Sequence, residues 1–329
     1  MQTLKIELLP HKATKEAVNA IVELNKAYPP ELQIDKKEAI EILTELSTIN
    51  YVLRLDNKII GSCLYRDIRG YPEDDFLNED TGKIEWSPKE FGETKNSDGA
   101  GILYIEDTTI LPEYRNMGFA KFLREKTYQQ LKKDWNFIVA HANSGAMINI
   151  SKELGGNILQ KFPNWFGSGE THVLYEIDLK KPRIGTIAYG KWKQETEYTC
   201  GLASLRNLLF SVGIIVTEKE LIKFGFCSKK IGTSPCDLVK ICQFYDIWAV
   251  WSSNTTIEGV KAILQQNKPC IVNYQSGKWG HWSLIHGIKD NKFLLFDCDG
   301  GREKKITFEK FEQDFYSKVY GNGNMIYLY

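Results

Sequence analysis

Residues 104–120 read Y-I-E-D-T-T-I-L-P-E-Y-R-N-M-G-F-A. An apolar, β-branched run ends at Pro112. Arg115, Gly118 and Ala120 follow at the spacing R-x-x-G-x-A, and a helical pattern begins at about Met117. Strand, tight turn and helix start together make an anion site. The first N–H groups of a helix have no acceptor within it, and the helix dipole adds partial positive charge there. Gly118 and Ala120 leave room for phosphate oxygens against the main chain. An ordinary strand–turn–helix crossover would use similar residues, so the weight lies in the flanking I-L-P-E-Y and the amphipathic stretch that follows.

This segment resembles the acetyl-CoA-binding motif of the GNAT acetyltransferases, and the likeness runs from about Met1 to Lys180. It implies a mixed central sheet flanked by helices, with acetyl-CoA as cosubstrate. Ile110, Arg115, Asn116, Met117, Gly118, Phe119 and Ala120 would then line the pyrophosphate site. A second signature is Ala142-Asn143-Ser144-Gly145-Ala146 followed by Leu154-Gly155. The resemblance gives Asn143 a bond to the pantetheine arm, or a part in placing the helix beside it. A plain helix N-cap is the alternative. Members of the family act by direct attack of a neutral amine on the thioester, which a base assists. Glu106 is the base candidate, four residues before Ile110 and so on its face of a regular strand. The family often has a tyrosine acid seven residues after the asparagine. Here that position is Ile150.

Around this motif the first half alternates strand and helix patterns. Thr3–Leu9, Tyr51–Leu55, Ile59–Tyr65, Phe137–Ala142 and His172–Leu179 read as strands, with a hairpin turn at Asp56-Asn57. Lys15–Asn25, Asp35–Thr48, Met117–Lys133 and Ala146–Leu154 read as helices, with Asp35 and Glu38 spaced as a capping box. Residues 67–101 are polar and too long for a simple connector, so they form a functional loop or are partly disordered. Lys180-Lys181-Pro182-Arg183 reads as a linker. The expected domains are therefore 1–182, of α/β class, and 183–329.

The second half opens on helices and closes on strands, an α+β layout. Its motif is Q-E-T-E-Y-T-C-G-L-A-S-L, Gln194 to Leu205. Cys200 begins an apolar helix running to Val212, a position that favours thiolate. Gln194 could donate to the oxyanion formed when Cys200 attacks a carbonyl. His281 opens a strand in G-H-W-S, and Asp297 ends the next. Paired strands would put Asp297 beside His281 to orient the ring. Asp299 competes for that role, and His286, five residues along, reads as structural. The order Gln–Cys–His–Asp resembles the papain-fold cysteine peptidases. The nearest pattern is the bacteriocin-leader peptidases that cut after double glycine, over about Tyr189–Tyr329. Cys298 departs from that family's usual proline. Phytochelatin synthases share a similar C-G-L-A-S-L helix, so transfer of the acyl group to an amine or thiol stands beside hydrolysis.

Bulk properties exclude other classes. Lysines and arginines total 42, matching 42 acids, which argues against a nucleic-acid partner. No apolar run reaches membrane-spanning length, and Met1–Lys15 does not pattern as a signal peptide. Seven cysteines, six of them after residue 199, contain no C-x-x-C. Neither a disulfide framework nor a zinc site is indicated, and a reducing cytoplasm is expected. Together these readings predict a two-domain N-acetyltransferase and cysteine peptidase acting on a peptide or small amine. A catalytically weak, CoA-binding first domain is the non-enzymatic alternative.

Overall fold

The computed structural model describes residues 1–26, 28–30, 33–71, 76–78, 83–84, 86–95, 101–143, 145–165, 169–181, 187–317 and 320–329. The chain divides into two compact units, Lys5–Pro182 and Arg183–Tyr329, the latter including Met1–Leu4.

The first unit is a mixed sheet with helices against it. Its elements are β1 (Gln2–Leu8, of which Lys5–Leu8 belong to this unit), α1 (Lys15–Asn25), α2 (Lys36–Thr44), β2 (Thr48–Leu55), β3 (Lys58–Asp67), α3 (Pro88–Thr94), β4 (Ile102–Ile110), α4 (Phe119–Leu131), β5 (Phe137–Ala142), α5 (Gly145–Glu153), β6 (Asn157–Phe162) and β7 (His172–Asp178). The strand order runs β1-β2-β3-β4-β5-β7-β6. The capping box forms at Asp35 and Glu38, and Asp56 takes the left-handed turn of the β2–β3 hairpin. The β4–β5 pair is parallel, whereas β2–β3, β3–β4, β5–β7 and β6–β7 are antiparallel. Parallel pairing covers only Ile102–Tyr104 against Phe137–Val139. Beyond it β4 continues to Ile110 without that partner.

Much of the 67–101 stretch is ordered by aromatic packing, which its polar average concealed. Phe76, Trp86 and Phe91 join Tyr104, Phe162 and Trp165 in one buried cluster. Residues 72–75, 79–82, 85 and 96–100 of that stretch lie outside the described residues, as do Pro182 and Arg183 of the expected linker.

The second unit is built on a six-stranded antiparallel sheet with helices on both faces. It contains α6 (Cys200–Phe210), α7 (Glu218–Ile222), α8 (Pro235–Gln243), β8 (Ala249–Ser252), α9 (Ile257–Gln265), β9 (Cys270–Ser276), β10 (Trp279–Lys289), β11 (Lys292–Asp297), β12 (Arg302–Thr307), α10 (Phe308–Asp314) and β13 (Asn324–Leu328). The order is β8-β13-β9-β10-β11-β12. On one face Leu202, Leu205 and Leu209 of α6 pack on Ile271, Trp282, Leu284 and Phe296. On the other, Val260 and Leu264 of α9 and Phe311 of α10 pack on Val272, Ile285, Phe293 and Leu295. Period-two alternation along β10 and β11 thus feeds two separate cores.

Candidate active site

Cys200 stands at the first position of α6, partly exposed, after Thr199. The next residue explains how the helix end comes so close to the sheet. A Cβ on Gly201 would lie 3.1 Å from Trp282 and 3.2 Å from Thr233, so only glycine fits without displacement. The Trp282 indole in turn donates to the Thr233 carbonyl at 3.2 Å. Trp282 faces α6, and its neighbour His281 therefore takes the alternate direction.

His281 Nε2 donates to Asp297 Oδ1 at 2.8 Å. The Cys200 side chain lies near enough to the ring to favour its proton. Burial works against charge on His281, but Asp297 and Cys200 outweigh it and lift the imidazole to about 9. A proton on the ring is thus favoured beside the Cys200 sulfur. Burial likewise opposes charge on Asp297, yet the bonds from His281 and Lys304 hold its carboxyl well below the usual range. The edge of His281 meets the Tyr274 ring, with centroids 5.7 Å apart, which fixes its tilt.

Asp299 does not take the histidine. Its backbone N–H donates to Asp297 Oδ1 at 3.2 Å, and its carboxylate accepts from Gln194. Gln194 is buried, and its Nε2 donates to Thr196 O at 2.9 Å and to Asp299 Oδ1 at 3.2 Å. Both amide hydrogens are engaged, so donation to an oxyanion requires one of these bonds to be exchanged. The Asp299 bond is the longer of the two. His286 is buried and stacks on Tyr189 at 4.2 Å, away from Cys200. Cys298 is buried against Ser204 and Asn207 of α6, and burial pushes its thiol up to about 12.

Lys304 went unnoticed in the sequence. It lies on β12 and pairs with the second oxygen of Asp297. Arg302 sits opposite Asp297 in register, so Lys304 is two residues along on the neighbouring strand, the diagonal position. The β12 stretch R-E-K-K lacks any apolar alternation, and nothing in it marks a strand.

In the first unit the 110–120 segment folds as strand, turn and helix. Gly118 caps α4 in the left-handed region at φ +88°, and Asn116 is left-handed at +63°. Arg115 turns back to donate from Nε to the Ile110 carbonyl at 3.0 Å. Asn143 donates to Glu170 and lies exposed before α5.

Glu106 is placed differently from the strand count. Leu64 pairs with Asp107 and Tyr65 with Ile105, so Glu106 is an extra residue in β4. This bulge breaks the period-two count from Ile110 and re-aims the side chain. Arg66 Nε and the Tyr71 hydroxyl, the latter at 2.8 Å, both engage Glu106 Oε1. Its neighbour Asp107 accepts from Tyr28 and Thr109, and burial raises its carboxyl above the ordinary range. Ile150 stands on α5 where the family's tyrosine acid was sought.

Among the described residues no cluster of histidine, cysteine and acidic groups could hold a metal ion. No helix there is long and apolar enough to cross a membrane.

The chain is similar to two kinds of known protein. The first unit is similar to solved acetyltransferases: Arabidopsis thaliana NAA60 in complex with acetyl-CoA (TM-score 0.39, 12% identity, 54% of this chain and 100% of that one). An N-acetyltransferase from Staphylococcus aureus Mu50 gives a TM-score of 0.38 at 18% identity, covering 54% of this chain and 99% of its own. In the second unit, the sublancin-168-processing and transport ATP-binding protein SunT of Bacillus subtilis (strain 168) is 29% identical over 141 residues, 39% of this chain. Its counterpart in Bacillus phage SPbeta matches equally. The matched segment spans 18% of the length of these curated relatives. Residues 189–320 match the Peptidase C39 family.

Proposed function

We propose that the second unit is a cysteine peptidase in which Cys200 is the nucleophile, His281 its acid and base, and Asp297 the group that orients the ring. The observation that carries this reading is the bonded His281–Asp297 pair at the Cys200 sulfur, inside the segment that matches Peptidase C39. A thiolate beside an imidazolium attacks the peptide carbonyl. The imidazolium then gives its proton to the departing amine, and water releases the acyl-enzyme. Gln194 exchanges its Asp299 bond for the oxyanion during attack. The substrate is a peptide, and the match to a sublancin-processing protein favours one cut after double glycine.

The first unit, in this proposal, is an acetyl-CoA-dependent N-acetyltransferase. The Gly118 helix start takes the pyrophosphate, with Ile110, Arg115, Asn116, Met117, Phe119 and Ala120 around it, and Asn143 serves the pantetheine arm. Acetyl-CoA would supply the activated acetyl group. Glu106 acts as base through Oε2, since both of its hydrogen bonds among the described residues fall on Oε1. Ile150 in place of a phenol favours a second reading, a CoA-binding recruiter with weak transfer activity.

One assay tests both units. Gly-Gly-containing peptides and small amines are incubated with the protein, with and without acetyl-CoA, and products are read by mass. Cleavage fragments without acetyl-CoA, and a 42 Da acetyl increment only with it, are expected, as thioester aminolysis requires. Absence of fragments refutes the peptidase. Calorimetry should show CoA binding to the wild type and none to Gly118→Glu, whose side chain puts bulk and negative charge against the pyrophosphate. No binding to the wild type would overturn the acetyltransferase and recruiter readings together.

A further inference from the structure

The loop that joins Gln194 to Cys200 is held from below by a carboxylate that takes no part in the mechanism above. Glu218 is fully buried. It follows Thr217, the N-cap of α7, and such a position ordinarily carries an exposed acid facing the helix dipole. Here the side chain turns onto another segment. The backbone N–H of Glu195 donates to Glu218 Oε1 at 3.0 Å and to Oε2 at 3.2 Å. Thr199 lies beside it and lowers its carboxyl, while the Thr199 hydroxyl donates to the Thr196 carbonyl at 3.1 Å. Glu195 directly follows Gln194, and Thr199 directly precedes Cys200. Glu218 therefore grips the Gln194 end of the loop by its main chain and stands beside Thr199 at the Cys200 end.

We propose that Glu218 is a positioning residue: it fixes the Gln194–Cys200 loop so that the Cys200 sulfur and the Gln194 amide face the same carbonyl. This rests on the peptidase reading. A buried carboxylate is expensive unless it is bonded, and burial does raise Glu218 above the usual range while Thr199 and the Glu195 bond lower it. Arg206 pairs with Glu195 at 3.9 Å and also lowers Glu218 by its charge. Among the described residues Glu218 forms no ion pair within 4 Å, and its hydrogen bonds go to the loop. Within the loop, Thr196 N–H donates to Thr199 Oγ1 at 3.2 Å and the two threonine hydroxyls meet at 2.9 Å. These bonds close the loop on itself, while those to Glu218 anchor it to α7.

The test compares Glu218→Met, which fills the volume without an acceptor, with Glu218→Gln, which keeps one. Alkylation of Cys200 by iodoacetamide is followed by mass, with exposed Cys236 as the internal reference. Turnover of a Gly-Gly peptide is measured alongside. The Met variant should lose about tenfold in the Cys200-to-Cys236 rate ratio and in kcat, with KM changed less than about twofold, the pattern of a displaced group. The Gln variant should stay within about twofold of wild type in both. Wild-type rates in a folded Met variant, or a Gln variant as slow as the Met one, would overturn the proposal. If the Met variant does not fold, amide exchange of Glu195 in the wild type decides. Strong protection supports the clamp, and exchange at open-loop rates refutes it. A wild type that cleaves no peptide would refute the peptidase reading, while the alkylation ratio would still report on Glu218.

Discussion

The Cys200 site and the Gly118 loop are both built on a helix N-terminus, yet they are encoded differently. The loop is contiguous: Ile110 to Ala120 carries strand, turn, glycine cap and helix start in eleven neighbouring residues. The cysteine site is assembled from α6, β10, β11 and β12, and it depends on pairing register. Electrostatics follow the same division. His281, Asp297 and Lys304 form a mostly buried chain of opposite charges behind the sulfur. Glu106, by contrast, shares one oxygen between Arg66 and Tyr71. A helix end alone binds an anion. A helix end with a charged ring beside a thiol has what the proposed nucleophilic chemistry needs.

The largest effect expected is that of Cys200→Ala. Loss of a nucleophile in a cooperative set costs about 10⁴-fold or more, so peptide turnover should vanish at the mass-spectrometric limit. Acetyl transfer measured on the same preparation should persist, and its loss would mean that the two chemistries are not separable.

Asp297→Asn comes next, with kcat lowered by about 10²–10⁴-fold, because a neutral amide cannot stabilise the imidazolium as the carboxylate does and can present its own N–H to the ring. The imidazole signal of His281, followed by NMR, should titrate at about 9 in the wild type and lower in the variant. The sign for stability follows. His281 is raised in the folded protein above its unfolded value of about 6.5, so its contribution is complete below that pH and lost as pH rises through about 9. The stability gap between wild type and Asp297→Asn should narrow over that window. A gap that is constant with pH would dissolve the dyad.

Glu106→Gln should lower acetyl transfer by about 10²-fold at neutral pH with CoA affinity unchanged, the cost of losing a general base. An unchanged rate would move the base role elsewhere and leave Glu106 as Arg66's ion-pair partner, whereas absence of transfer by the wild type would favour the recruiter reading.

These differences also decide what could be read in the sequence. R-x-x-G-x-A and C-G announce themselves because backbone demands, a left-handed cap and a close approach to Trp282, fall on adjacent residues. The pairing of His281 with Asp297 was legible from strand ends, since hairpin neighbours bring start and finish together. The bulge at Glu106 was not, because it exists only relative to the partner strand. Nor was β12, an edge strand exposed along most of its length, where solvent removes the apolar alternation. Losing β12 from view meant losing Lys304. The commitment of the Gln194 amide to Asp299 was hidden for the same reason, as a contact across 105 residues.

Lys304 gives the smallest and most discriminating prediction. Its ammonium pairs with Asp297 Oδ2 while remaining about two-fifths exposed, 41% by side chain, so solvent screens part of its effect. Removing it by Lys304→Met should cost kcat only a few-fold, roughly what a misaligned orienting group loses when the ring stays bonded. The direction of the His281 titration separates the possible roles. Lys304 neutralises part of the Asp297 charge that favours imidazolium. Without it, the full carboxylate acts on His281, and the midpoint should move above about 9, opposite to the shift in Asp297→Asn. A downward movement would mean that Lys304 chiefly holds Asp297 in place and that its loss lets the carboxylate swing away. Unchanged titration with unchanged kcat would leave β12 outside the catalytic chain, and the cysteine site would then end at Asp297.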